Sequence, residues 1–382
     1  MRVCLLVSEL FAWGKYSGYG SSARRLGSGL AERGIEVYAL VPRRPGQKPR
    51  EKLDGITVLS YPGRQVLSSD IYREANAHIY HSQEASLATI GALRTMPDRK
   101  HMLTCMDPWN LRDWWIEFKY DLHDSVRRPL IYPLLWAYYS VTVTGPTVRR
   151  VGAVYSQARY LTRKMQGLYR LEKPPVPLPN PYPVPKYPIH KTRRPTVCYL
   201  ARWDPRKRPE IFFELAMNFP GVRFIALGEA HNHRRDGKLR QQYGNIPNLD
   251  LVGFVNPFES EQLQRILDES WIMINTAARE GLPVAFVESA AHRCAILSAI
   301  DADGFASRGG YHVDAANSSR QPTELGGQHA TVDDYARGLE CLLEGNSWRE
   351  QGEIGYQYVL DVHDQPTVVD KHLAIYDDLL QR

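Results

Sequence analysis

A chain of 382 residues exceeds one comfortable hydrophobic core, so two domains are expected. Its 43% hydrophobic and 24% charged residues are ordinary for a globular protein, and no window reaches the roughly 18 uninterrupted apolar residues of a membrane span. The net charge of +6 favours contact with anions, while the five scattered cysteines (Cys4, Cys105, Cys198, Cys294 and Cys341) support neither a disulfide framework nor a zinc site.

The chain opens on Val3–Val7, an apolar run of the kind a buried parallel strand needs. It is too short for a signal-peptide core, so a cytoplasmic location is expected. Ala23, Leu26, Leu30 and Ala31 then share one helical face, and Gly34 stands where a helix would stop. Strands are predicted at Ile35–Val41, Ile56–Leu59, Ile79–Tyr80, Met102–Cys105 and Ala153–Tyr155, the rhythm of βαβ units.

Between Glu172 and Pro195 stand Pro174, Pro175, Pro177, Pro179, Pro181, Pro183, Pro185 and Pro188, a density that excludes helix and central strand. A semi-rigid connector is expected there. A second α/β series follows, with strands at Thr196–Leu200, Phe224–Leu227, Leu249–Val255, Trp271–Asn275 and Ala295–Ser298, a helix at Pro209–Phe219, and helix from Thr331 onward. The expected architecture is α/β: a Rossmann-like domain over residues 1–185, rejoined by a C-terminal helix at about 366–382, and a second over 186–365. Ligands of such folds lie at a cleft, outside the carboxyl ends of the strands.

The most specific signal is Arg279-Glu280-Gly281-Leu282-Pro283-Val284-Ala285-Phe286-Val287-Glu288, placed between a strand and a helix. Free N–H groups of Gly281, Leu282 and Val284 at the helix start suit an anionic or hydroxyl-rich ligand. Glu280 in the loop and Glu288 inside the helix can each accept hydrogen bonds from vicinal hydroxyls of a sugar or ribose. For an isolated pair, solvated helix-end charges would explain as much. The pair is not isolated, because Arg202 ends the first strand of this half and Lys207 stands at the mouth of the next helix. A planar fork and a point charge together suit a diphosphate.

In this order, roughly 75 residues apart, the two constellations resemble those of the retaining glycosyltransferases of the GT-B fold, family 4-like, group 1. That family has two glutamates separated by seven residues, here Glu280 and Glu288, and upstream Gly-Arg-x-x-x-x-Lys-Gly. Here both flanking glycines are lost and both cations stay. The resemblance implies that Arg202 and Lys207 grip the donor diphosphate, that Glu280 meets the donor sugar, and that Glu288 meets the ribose. Gly253-Phe254 resembles the segment whose backbone holds the base. Ser17-Gly18-Tyr19-Gly20-Ser21-Ser22 takes the place of the family's glycine-rich loop near the donor phosphates. Met106-Asp107 stands where relatives carry His-Asp, so Asp107, with Tyr19, falls on the sugar or acceptor side. Tyr155-Ser156 and Pro179-Asn180 resemble further family positions, and Val368–Leu380 the final helix that rejoins the first domain.

The expected activity is transfer of a hexose-type sugar from a UDP-, GDP- or ADP-sugar to a sugar, glycan or lipid acceptor, with no cofactor and no metal. Asp301-Ala302-Asp303 reads as a turn rather than a metal motif. His81, His123, His231, His233 and His292 lack convincing ligand spacing. Alternatives on the same fold are a sugar-nucleotide epimerase, a phosphorylase, or a non-catalytic binder of nucleotide sugars or polyanions. A nicotinamide enzyme fits Gly18-Tyr19-Gly20-Ser21-Ser22-Ala23 literally, but those glycines come too long after the first strand for that tight turn. No module for nucleic acid is present. Peripheral membrane contact is suggested by Trp109, Trp114, Trp115, Trp136, Tyr138 and Tyr139 beside Arg112, Lys119, Arg127 and Arg128; aromatics lining an acceptor pocket or a core fit equally well.

Overall fold

The computed structural model describes residues 1–121, 134, 137–314 and 329–382. Arg127, Arg128, His123 and Trp136 lie outside them. The described residues fall into two compact units. Unit 1 draws on Met1–Asn110, Pro133–Pro183 and Val362–Arg382, and unit 2 on Leu111–Tyr132 and Val184–Asp361.

Unit 1 is built on β1 (Arg2–Leu6), β2 (Glu36–Pro42), β3 (Arg50–Leu53), β4 (Ile56–Tyr61), β5 (Ile79–Ser82), β6 (Lys100–Cys105), β7 (Ala153–Ser156) and β8 (Val176–Pro177). They lie in the order β3-β4-β2-β1-β5-β6-β7-β8, parallel except for the β3–β4 hairpin. The inner strands are apolar on both sides because both faces of the sheet are covered. Charged Arg50-Glu51-Lys52-Leu53, by contrast, forms an edge that the hydrophobic pattern did not reveal. Asp54 and Gly55, at φ of 47° and 83°, close that hairpin in two residues.

Glycines let the helix Gly18–Glu32 approach both the sheet and the C-terminal helix closely. A Cβ on Gly27 would stand 2.5 Å from Ile56 Cδ1, and one on Gly29 would stand 2.7 Å from Val369 Cγ2. The final helix, Gln365–Gln381, also belongs to this unit, and its Val369, Tyr376 and Leu379 share a core with Val3, Leu5 and Leu26. The Gln83 amide donates to His81 Nε2 (3.2 Å), which leaves His81 Nδ1 to donate to Tyr376 Oη (2.8 Å).

Unit 2 holds β9 (Thr196–Leu200), β10 (Arg223–Leu227), β11 (Leu249–Gly253), β12 (Ile272–Asn275), β13 (Ala295–Ser298) and β14 (Gly310–His312), all parallel, in the order β11-β10-β9-β12-β13-β14. Trp203, Phe212, Phe213 and Phe224 pack edge to face in its core, and Trp271 stacks on Trp348 at 4.4 Å. The strand order runs outward in both directions from β9 and β12, so the carboxyl ends of these two strands flank the topological switch point. The helix Leu111–Asp121, although it comes early in the sequence, is part of this unit and sets Ile116 against Ala278.

Candidate active site

The two motifs emerge side by side because β9 and β12 are neighbours. Beyond β9 the chain passes Arg202 and makes a 3-10 turn at Pro205–Lys207. Arg208 then adopts the left-handed conformation (φ 51°) and the helix Pro209–Asn218 begins. Beyond β12 an irregular stretch leads to the helix Val284–Ala291. Hydrogen bonds tie the two connections together. Thr276 Oγ1 donates to the carbonyls of Lys207 (2.7 Å) and Arg208 (2.8 Å), the Ala278 N–H to that of Arg206 (2.9 Å), and Tyr199 Oη to that of Lys207 (3.1 Å).

This clamp presents Lys207 Nζ to Glu280 Oε1, and the two form an ion pair with 14% and 10% of their side chains exposed. Burial pulls the Lys207 pKa down, the Glu280 carboxylate opposes that shift, and the nearby Arg206 and Arg202 charges reinforce it. Arg202 is the outermost of the group, with 45% of its side chain exposed and Asp204 at 3.2 Å. Glu288 is buried within its helix. Gly281 and Leu282 are buried just before that helix. Among the described residues the N–H groups of Gly281, Leu282 and Val284 meet no hydrogen-bond acceptor. A cation, a carboxylate and a set of free amides thus face the carboxyl ends of adjacent strands.

Gly253 closes β11 at φ 90°, its carbonyl accepting from the Gly228 N–H at 2.7 Å, and Phe254 stands exposed beyond it. Gly228 was not singled out from the sequence. It has φ 110°, and a Cβ there would lie 2.0 Å from the Ala201 carbonyl oxygen, so only glycine lets the chain pass behind the Arg202 segment.

In unit 1 the expectation of a glycine-rich loop at Ser17–Ser22 is corrected. Gly18, Tyr19 and Gly20 form the first turn of the helix Gly18–Glu32, with Ser17 at its N-cap. The space a side chain at Gly20 would occupy already belongs to the Phe11 backbone nitrogen (2.6 Å) and Glu9 Cγ (2.9 Å), and Ser17 Oγ donates to the Glu9 carboxylate. Asp107 Oδ2 accepts from Trp109 Nε1 at 2.8 Å. Glu84, missed in the sequence, is exposed just past β5, yet crowding by protein, and then the Asp107 charge, push its carboxyl up to about 7. Burial and the Glu84 charge in turn raise Tyr19.

The other motif positions of this unit serve the fold. Ser156 Oγ donates to the Ala158 carbonyl (2.8 Å), and Asn180 Nδ2 donates to Gln157 Oε1 (2.8 Å). The Asn180 carbonyl accepts from His363 Nδ1 (2.9 Å). Asp301–Asp303 lies in a turn with Asp303 at φ 50°; His231 and His233 are exposed, and His292 is buried against Asp268 at 2.7 Å. Among the described residues no three metal-ligating side chains converge, and no helix is long and apolar enough to cross a membrane.

Residues 186–307 match the family model described as glycosyl transferases group 1, a span that contains Arg202, Lys207, Glu280 and Glu288. No curated protein sequence matches the chain. Solved structures match it over its whole length at low identity. Sucrose-phosphate synthase from Thermosynechococcus elongatus is 13% identical with a TM-score of 0.73, covering 100% of this chain and 99% of that one. HepE from Anabaena, in complex with UDP and glucose, is 12% identical at 0.67, covering 99% and 100%. The catalytic domain of starch synthase IV from Arabidopsis thaliana, bound to ADP and acarbose, is 11% identical at 0.62, covering 100% and 99%. The chain therefore has the GT-B fold and carries a group 1 glycosyltransferase domain in unit 2, and it is a glycosyltransferase.

Proposed function

We propose that the protein transfers a hexose-type sugar from a nucleoside-diphosphate sugar to an acceptor hydroxyl, with retention at the anomeric carbon and without a metal ion. The observation that carries this reading is the buried Lys207–Glu280 pair beside the free amides of Gly281, Leu282 and Val284. On donor binding Lys207 exchanges the Glu280 carboxylate for a phosphate oxygen, and Glu280 is released to accept hydrogen bonds from the sugar. The anomeric carbon–oxygen bond breaks toward the diphosphate, whose developing charge is met by Lys207, Arg202 and the helix amides. The acceptor hydroxyl attacks from the same face and its proton leaves on a phosphate oxygen, so no protein nucleophile is assigned.

Glu288 is assigned to the ribose, and the backbone at Gly253 and Phe254 to the base. To unit 1 we assign the acceptor, through Asp107 and Tyr19. Gly18 and Gly20, in the first turn of the helix Gly18–Glu32, are assigned to the donor side. The UDP and glucose bound to HepE and the ADP bound to starch synthase IV favour a nucleotide-sugar donor. The same reading keeps the enzyme in the cytoplasm, with Trp109, Trp114, Trp115 and Tyr138 as a peripheral membrane contact; sedimentation with anionic vesicles tests that contact.

The deciding experiment is a thermal-shift panel with UDP, GDP and ADP, since stabilisation follows affinity. It is followed by transfer assays with the corresponding sugars in the presence and absence of EDTA, and by NMR of the product's anomeric configuration. Epimerisation of the donor without acceptor, or product of inverted configuration, would overturn this reading. Loss of activity in EDTA would overturn its metal-independent part.

A further inference from the structure

Lys207 and Glu280 are set by their neighbours on both sides, and those neighbours are charged. Arg279, directly before Glu280, is wholly buried with 0% of its side chain exposed, and its Nε donates to Asp113 Oδ1 at 2.6 Å; Asp113 is itself 1% exposed. Arg206, directly before Lys207, donates from Nη1 to the Arg279 carbonyl at 2.9 Å and pairs through Nε with Glu117 Oε1 at 2.9 Å. Glu117 also stands 4.0 Å from Arg279 Nη1. Both acids come from the helix Leu111–Asp121. At positions i and i+4 they share one face, turned inward with Ile116, while Leu111 and Trp115 are exposed on another.

A buried guanidinium needs a carboxylate, and here each of the two arginines that precede a proposed functional residue has one. We propose that Asp113 and Glu117 are positioning residues for sugar transfer: through Arg279 and Arg206 they fix the backbone that carries Glu280 and Lys207. The proposal rests on the donor-site reading above. Neither acid touches the donor. Their effect is to neutralise Arg206 and Arg279, so that Lys207 and Arg202 are the cations left to meet the diphosphate, and to keep the Lys207–Glu280 geometry tight before the donor arrives. Displacements of about 1 Å at a reacting centre cost roughly 100-fold in rate, which sets the scale of the loss.

The test uses the full-length protein with Glu117→Ala, Glu117→Gln and Asp113→Asn, each checked for a wild-type thermal transition. Donor KM, kcat at saturating acceptor, and binding of the nucleoside diphosphate alone are measured for each. The expected result is a 10- to 100-fold loss of kcat in Glu117→Ala, diphosphate affinity within about threefold of wild type, and partial recovery of kcat in Glu117→Gln, which keeps the shape and a carbonyl oxygen beside Arg206 without the charge. Asp113→Asn should lose kcat in the same way. If Asp113→Asn fails to fold, the Glu117 pair alone decides. Equal kcat in wild type, Glu117→Ala and Glu117→Gln overturns the proposal, as does a loss confined to KM. Failure of the donor-site reading would look different: the wild type itself would neither bind a nucleoside diphosphate nor transfer from any nucleotide sugar.

Discussion

Replacing Lys207 with methionine removes the cation and keeps most of its stem, so it isolates what the charge does. With 14% and 10% of the two side chains exposed, little water is available to the Glu280 carboxylate once the lysine is gone. Breaking a buried pair by deleting one partner costs roughly 3–5 kcal/mol; the residual exposure places this case near the lower end, at about 3 kcal/mol. Deleting both charges, in Lys207→Met with Glu280→Gln, removes the buried carboxylate charge as well and should return stability to within about 1 kcal/mol of wild type. Activity follows a different rule. If Lys207 meets charge that develops on the diphosphate, Lys207→Met lowers kcat by about 10²–10³-fold, and the second substitution does not restore it. Urea unfolding and initial rates on the four proteins give both cycles. Unchanged stability in the single variant would refute the buried-pair argument. A double variant that regains rate with stability would refute the catalytic assignment.

Three further outcomes are expected. Gly228→Ala forces a Cβ to 2.0 Å from the Ala201 carbonyl oxygen at φ 110°, so it should cost about 3 kcal/mol or more and lower the urea midpoint sharply, whereas Gly237→Ala, in open space on a helix, should not. Lys191 Nζ donates to the carbonyls of Leu267 (2.9 Å) and His292 (2.6 Å) and also to that of Ser270, fastening the proline-rich connector to unit 2; Lys191→Met removes these charge-assisted bonds, leaves only the weak Cys294 thiol as a side-chain donor to Leu267 and Ser270, and should cost about 2–3 kcal/mol by the same measurement. His372 is buried, which brings it down to about 4 from the usual 6.5, so its folded form binds fewer protons than its unfolded form between those values. Stability should therefore fall as pH drops from about 6.5 to about 4, by about 3 kcal/mol in all, and His372→Asn should show a shallower acid slope in urea unfolding at pH 7 and pH 4.5.

How much of this was legible follows from where each signal resides. Strands covered on both faces declare themselves as apolar runs, which is why Val3–Val7 and Ala295–Ser298 locate β1 and β13. The strand Arg50–Leu53 carries three charges and lies at an edge, so only its Asp54-Gly55 turn could have given it away. Gly18 and Gly20 suggested a loop by their resemblance to a glycine-rich motif, but they form the first turn of a helix, where Gly20 packs closely against Phe11 and Glu9 although glycine disfavours helix. Lys207 and Glu280 were readable because each sits inside a local pattern. Asp113 was not, since its partner Arg279 is 166 positions away and nothing in the neighbourhood of either residue records the contact.

The resting state of the pair also bears on what the site selects. Lys207 and Glu280 satisfy each other, and burial already disfavours the lysine charge, so a ligand gains only if it offers something to both. A nucleoside diphosphate takes the lysine and offers the buried glutamate nothing in exchange. A nucleotide sugar supplies an anion to one and hydroxyls to the other. Under the donor reading the intact donor should therefore bind more tightly than its diphosphate product, and Glu280→Gln should narrow that difference by removing the carboxylate charge that the sugar hydroxyls meet. Calorimetric titration of both ligands into wild type and Glu280→Gln measures it. A diphosphate that binds wild type as tightly as the donor, with no change in the ratio on substitution, would mean that Glu280 does not reach the sugar, and the assignment of its carboxylate would have to move to the phosphate-side clamp alone.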